Sequence, residues 1–173
     1  MNSLLNADDD WIEPLRLKIY PYIHKRLRQL GDKLGYNFYA IGHVGYNQYL
    51  GTVTEDEDVI EDEFESVGMV RNPIAALKSL SDERVSEGSW VLTHENDKYN
   101  LVEPGMQLHV TMFTHEDNQS GREIYAHYED DWRTAARDHL NSANFSPELG
   151  VKKATTLIDN NTFLTLKELT RYH

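Results

Sequence analysis

QLHVTMFT (107–114) and REIYAHYE (122–129), on either side of the polar loop 115–121, decide the fold: both alternate polar and apolar side chains with the two-residue period of a strand. Leu108, Val110 and Met112 take one face of the first segment, and Ile124, Ala126 and Tyr128 take one face of the second. An antiparallel hairpin that puts these six on a common face gathers His109, Thr111, His127 and Glu129 on the other. Sliding the pairing by one residue would push His127 and Glu129 among apolar side chains, where unpaired polar groups are costly. The predicted register sets His115 opposite Glu123, Phe113 opposite Tyr125, Thr111 opposite His127 and His109 opposite Glu129.

Outward from the hairpin, Trp90, Val91 and Leu92 read as strand, and Pro104-Gly105 as the turn that leads into the next one. Asn72-Pro73 either caps a helix or belongs to a hairpin turning at 81–84. The run EDEDVIEDEFE (55–65) reads as a short solvated helix with Val59, Ile60, Phe64 and Val67 on one side. YNFYAIGHV (36–44) and QYLGTVT (48–54), parted by Gly45, Tyr46 and Asn47, read as paired strands, the first of them central. Residues 8–35 carry an apolar stripe at helical spacing, with a kink expected near Pro21, which lacks an amide donor. Beyond the hairpin, Asp130 or Asp131 caps a helix through Leu140. Ser146-Pro147-Glu148 opens another, with Leu149, Ala154, Leu157 and Ile158 along one face, and TFLTL (162–166) is a short strand or helical turn. The expectation is a single domain over 1–173 of the α+β class. It is a mainly antiparallel sheet covered on one side, with a kinked N-terminal helix and C-terminal helices.

The chain has 173 residues, 29 acidic against 17 basic side chains and a net charge of −12, and it has no cysteine. Thiol nucleophiles, disulfide frameworks and cysteine-ligated metal sites are therefore excluded. No apolar run is long enough for a membrane helix and the N-terminus lacks the pattern of a secretory leader, so a cytoplasmic protein without membrane contact is expected. The acidic balance repels phosphate backbones and disfavours nucleic acid as a partner, although residues 11–34 carry six basic against two acidic side chains.

Two imidazoles beside a carboxylate suit two chemistries. His109 and His127 can exchange protons with a substrate while Glu129 fixes a ring tautomer. Alternatively, all three ligate zinc or a similar ion with Thr111 behind them. Neither a metal nor an organic cofactor is specified by these residues. His109-Val110-Thr111 resembles one half of the histidine-x-threonine signature of two-histidine phosphoesterases, in which paired copies grip a phosphodiester. No other histidine here has Ser or Thr two places on, so that activity is not carried over. Gly42, Gly45 and Gly51 lack the Lys-Ser/Thr of a phosphate loop and fit tight turns. With no complete catalytic set in view, the leading expectation is a non-catalytic interaction or accessory protein that self-associates. The alternatives are a hydrolase-like or metal-binding enzyme built on the His/Glu cluster, and a nucleic-acid-related role through the basic segment or the acidic run.

Overall fold

A computed structural model of the chain describes residues 26, 29–31, 33–35, 43–72, 78–81, 84, 86–114 and 121–161. In chain order these form β1 (His43–Val44), a 3-10 turn (Tyr46–Gln48), β2 (Tyr49–Val53), α1 (Glu57–Ser66), β3 (Val70–Arg71) and β4 (Ser79–Leu80). They continue with β5 (Gly88–Thr93), β6 (Met106–Thr114), β7 (Arg122–Asp130), α2 (Ala136–Asn141) and α3 (Pro147–Asn160). The class is α+β: a five-stranded sheet in the order β2-β7-β6-β5-β3 has every neighbouring pair antiparallel.

The central hairpin forms with the predicted parity and a different register. His109 faces His127, Thr111 faces Tyr125, Gln107 faces Glu129 and Phe113 faces Glu123. Alternation fixes which side chains share a face, but it is blind to a slip of two residues. The observed slip pairs the whole of Met106–Thr114 with Arg122–Asp130, so every residue of both strands enters the ladder. The apolar face is as expected: Leu108, Val110, Met112, Ile124, Ala126 and Tyr128 join one core cluster with Trp90 and Leu92.

Two helices close that face. α1 contributes Ile60 and Phe64, the latter ring lying 5.1 Å from Trp90. Val59, placed on the same side by spacing alone, is 40% exposed, because the helix turns it past the contact. Ser146 caps α3 by accepting the Leu149 amide at 3.2 Å, and Pro147 occupies the first turn, where a missing amide costs nothing. Ala154, Leu157 and Ile158 are buried, while Leu149, at the exposed start of the helix, is 44% exposed.

Other expectations are corrected. Tyr49–Val53 pairs with β7 at the edge of the sheet and not with His43–Val44, which instead pairs in parallel with Ser79–Leu80. The intervening 3-10 turn breaks the tight reversal that a hairpin would need, and His43–Val44 lies outside the main sheet altogether. The helix after β7 starts at Ala136, because the carbonyl of Asp131 first accepts the amides of Thr134 and Ala135 in a turn. Around 81–84 the hairpin alternative finds support: the Leu80 amide donates to Arg84 and the Ser86 amide to Lys78. Arg26, Gln29, Leu30, Gly31, Lys33 and Leu34 are helical. The kink at Pro21, the strand expected over 36–42, the first residues after Pro73 and the segment 162–166 lie outside the described residues.

The sheet is covered on both sides, not one. Val44, Leu80, Phe113 and Tyr125 form a second apolar cluster on the face opposite α1 and α3. On that same face Gln107, His109, Thr111, His127 and Glu129 are each no more than 2% exposed.

Candidate functional site

The polar face of the hairpin is thus an interior. A buried polar atom must find its partners inside the protein, since each one left over forfeits its hydration. The adjoining strand and the segment before β4 supply them. Ser89 sits on β5 opposite Thr111, one diagonal step from His109. Its hydroxyl hydrogen-bonds His109 Nε2 in a close contact, and lies 3.3 Å from the Val110 carbonyl and 3.5 Å from Thr111 Oγ1. Across the ring, His109 Nδ1 is 3.0 Å from Glu129 Oε1. Ser89, His109 and Glu129 therefore form one continuous chain of hydrogen bonds over three adjacent strands.

Around this line stand four more groups. Gln107 Nε2 donates to Glu129 Oε1 at 2.9 Å. The Lys78 ammonium lies 3.1 Å from His127 Nε2 and 3.4 Å from His109 Nδ1. His127 Nε2 is also 3.2 Å from Glu129 Oε1, and the two imidazole rings are tilted with centroids 4.6 Å apart. From α2, His139 Nδ1 approaches the Asp130 carbonyl at 2.9 Å and Glu129 Oε2 at 3.4 Å. On the outer side, the His127 ring meets Phe145 at 5.0 Å.

Burial and neighbours set the charges. Desolvation pushes the His127 imidazole down to about 4, and the positive charge of Lys78 works in the same direction. His109 is likewise held well below its ordinary value, by desolvation and then by Lys78, against the opposing hydrogen bond to Glu129. Lys78 itself falls to about 8, because its burial outweighs the attraction of Glu129. Desolvation opposes ionisation of Glu129, yet its interactions with His127, His109 and Lys78 outweigh it and hold the carboxyl well below the usual range. At neutral pH the site therefore holds one cation, one anion and two neutral imidazoles.

This arrangement can move a proton. With Nδ1–H of His109 aimed at Glu129, its Nε2 is free to accept the proton of Ser89, which is the geometry of an activated hydroxyl nucleophile. It also bears on metal binding. His109, His127 and Glu129 offer ligand atoms within 4.8 Å of one another. A divalent ion among them would meet the Lys78 ammonium beside both imidazole donors, and like charges in so dry a place repel strongly. The lysine already supplies the positive charge that this carboxylate needs, so the donor set fits the lysine better than an ion.

Of the four side chains singled out from the sequence, His109, His127 and Glu129 meet directly. Thr111 lies two pairs along the ladder on the same face, beside Ser89. Ser89, Lys78, Gln107 and His139 escaped the sequence reading. Ser89 had a legible signal: in GSWVLT (88–93) Ser89 alternates with Trp90 and Leu92, which fixes it to the face away from the apolar core. Lys78 gave a weaker one, a single charge directly after the apolar run IAAL (74–77). No family model, curated protein or solved structure matches the chain.

Proposed function

We propose that the protein is a hydrolase-type enzyme in which Ser89 is the nucleophile, His109 the general base and Glu129 the carboxylate that orients it. The observation that carries this reading is the unbroken chain from Ser89 Oγ through both nitrogens of His109 to Glu129 Oε1. Ser89 Oγ attacks an acyl carbonyl while its proton passes to His109 Nε2. The Nδ1–H bond to Glu129 steadies the imidazolium that forms. The same proton then goes to the leaving group as its bond to the acyl carbon breaks. Water, deprotonated by His109, releases the acid and restores the Ser89 hydroxyl.

The test is covalent labelling of the full chain with a fluorophosphonate probe, followed by mass mapping of the modified peptide. An adduct on Ser89 is expected. It should vanish in Ser89→Ala and form about 10²–10⁴ times more slowly in His109→Gln, the range spanned by loss of a general base. An unlabelled Ser89, or labelling that His109→Gln leaves unchanged, overturns the assignment.

A further inference from the structure

Glu129 Oε1 is approached by three donors at once, and a carboxylate oxygen has two lone pairs to offer. Gln107 Nε2 can only donate, and it takes one at 2.9 Å. With the Ser89 proton directed to His109 Nε2, as the hydrolase reading has it, His109 donates from Nδ1 and takes the second at 3.0 Å. His127 Nε2 at 3.2 Å is then left without a lone pair on that oxygen. The Lys78 ammonium, 3.1 Å away, has protons to give and stands 3.4 Å from a His109 nitrogen that already carries one. That arrangement is met when Lys78 donates to His127 Nε2 and the ring proton of His127 resides on Nδ1.

We propose that Lys78 is a positioning residue of the Ser89–His109–Glu129 site, which by donating to His127 Nε2 fixes that imidazole as an acceptor and reserves the Glu129 carboxylate for His109. The proton assignment rests on the direction that the hydrolase reading gives the Ser89–His109 hydrogen bond, and the tautomers test it apart from any activity. Without Lys78, His127 is free to turn its own N–H to Glu129 Oε1 and compete with His109 for it. The base would then lose the partner that fixes its tautomer.

Long-range ¹⁵N–¹H correlation spectra of the full chain, with the imidazole nitrogens labelled, read the tautomers directly. Both His109 and His127 are expected to be neutral with the proton on Nδ1 in the native protein, and Lys78→Met should move the His127 proton to Nε2. A native His127 carrying its proton on Nε2 overturns the proposal, and this measurement needs no variant, so it stands even if Lys78→Met fails to fold. An unchanged His127 tautomer in a folded Lys78→Met protein overturns it as well. Failure of Ser89 labelling with the tautomers as assigned removes the enzyme and leaves Lys78 its structural part. Intact labelling with an Nε2–H on His127 removes the role of Lys78 alone.

Discussion

Lys78 and Glu129 share an interior from which water is excluded, so the charge of each depends on the other. The cost of this pairing should be visible in the pH dependence of stability. In the folded chain His127 stays neutral down to about 4, whereas in the unfolded chain it titrates near 6.5. Between these values the unfolded state binds a proton that the native state does not, so stability falls as pH drops from about 6.5 to about 4, on the order of 3 kcal/mol from this group. His109 adds in the same direction. Lys78 acts at the other end. Its folded value of about 8 lies below the unfolded 10.5, so its burial cost is present in full below about 8 and is relieved as pH rises towards 10.5. Urea denaturation followed by tryptophan fluorescence should show both limbs, and Lys78→Met should flatten the upper one. The same ammonium sits 3.4 Å from His109 Nδ1 and opposes the imidazolium that the proposed reaction requires. Ser89 labelling should accordingly accelerate as pH rises through about 8.

At the scale of elements, the site depends on how closely α3 approaches β7. The Tyr128 and Ser146 backbones exchange two hydrogen bonds, of 3.0 and 2.8 Å, and this bridge anchors the helix cap to the strand edge. One turn on, a Cβ at Gly150 would overlap the backbone of His127, so only glycine lets the helix pass there. Gly150→Ala should cost about 1–3 kcal/mol in chemical denaturation and shift the His127 ring resonances, as overpacking forces the strand aside. Ser146→Ala, which removes only the cap, should cost about 1 kcal/mol and leave those resonances in place. Neither the approach of α3 nor the hairpin register could be read from sequence. Alternation in QLHVTMFT reports the face of His109, but pairing with His127 or with Glu129 satisfies it equally.

The whole molecule carries a net charge of −12, and the run 55–65 concentrates part of it on α1. Glu57 and Asp58 suit the N-terminal turn of that helix, but no basic side chain stands in its last turn. Self-repulsion among such charges is long-ranged and screened by salt. The thermal midpoint should therefore rise as salt increases from about 0.01 M to about 0.5 M, where the screening length shrinks to a few ångström. The buried Lys78–Glu129 pair is shielded from that screening, so the tautomers of His109 and His127 should not change over the same range. Among the described residues, no helix is long and apolar enough to cross a membrane.

Sequence by itself determined the class of the fold, the hairpin, the acidic helix, the cap at Ser146 and the side of the sheet shared by His109, Thr111, His127 and Glu129. These are local: a two-residue or 3.6-residue period, a capping hydroxyl and a turn glycine act within a few positions of one another. Tertiary structure alone decided that the polar face is covered, that Ser89 and Lys78 enter it, and that His109 stands opposite His127. Each of these turns on an encounter between residues distant along the chain, 20 positions for Ser89 and His109 and 49 for Lys78 and His127. A polar strand face reads the same whether water or protein lies above it, and only packing chooses between a solvated surface and a site of charges held out of water.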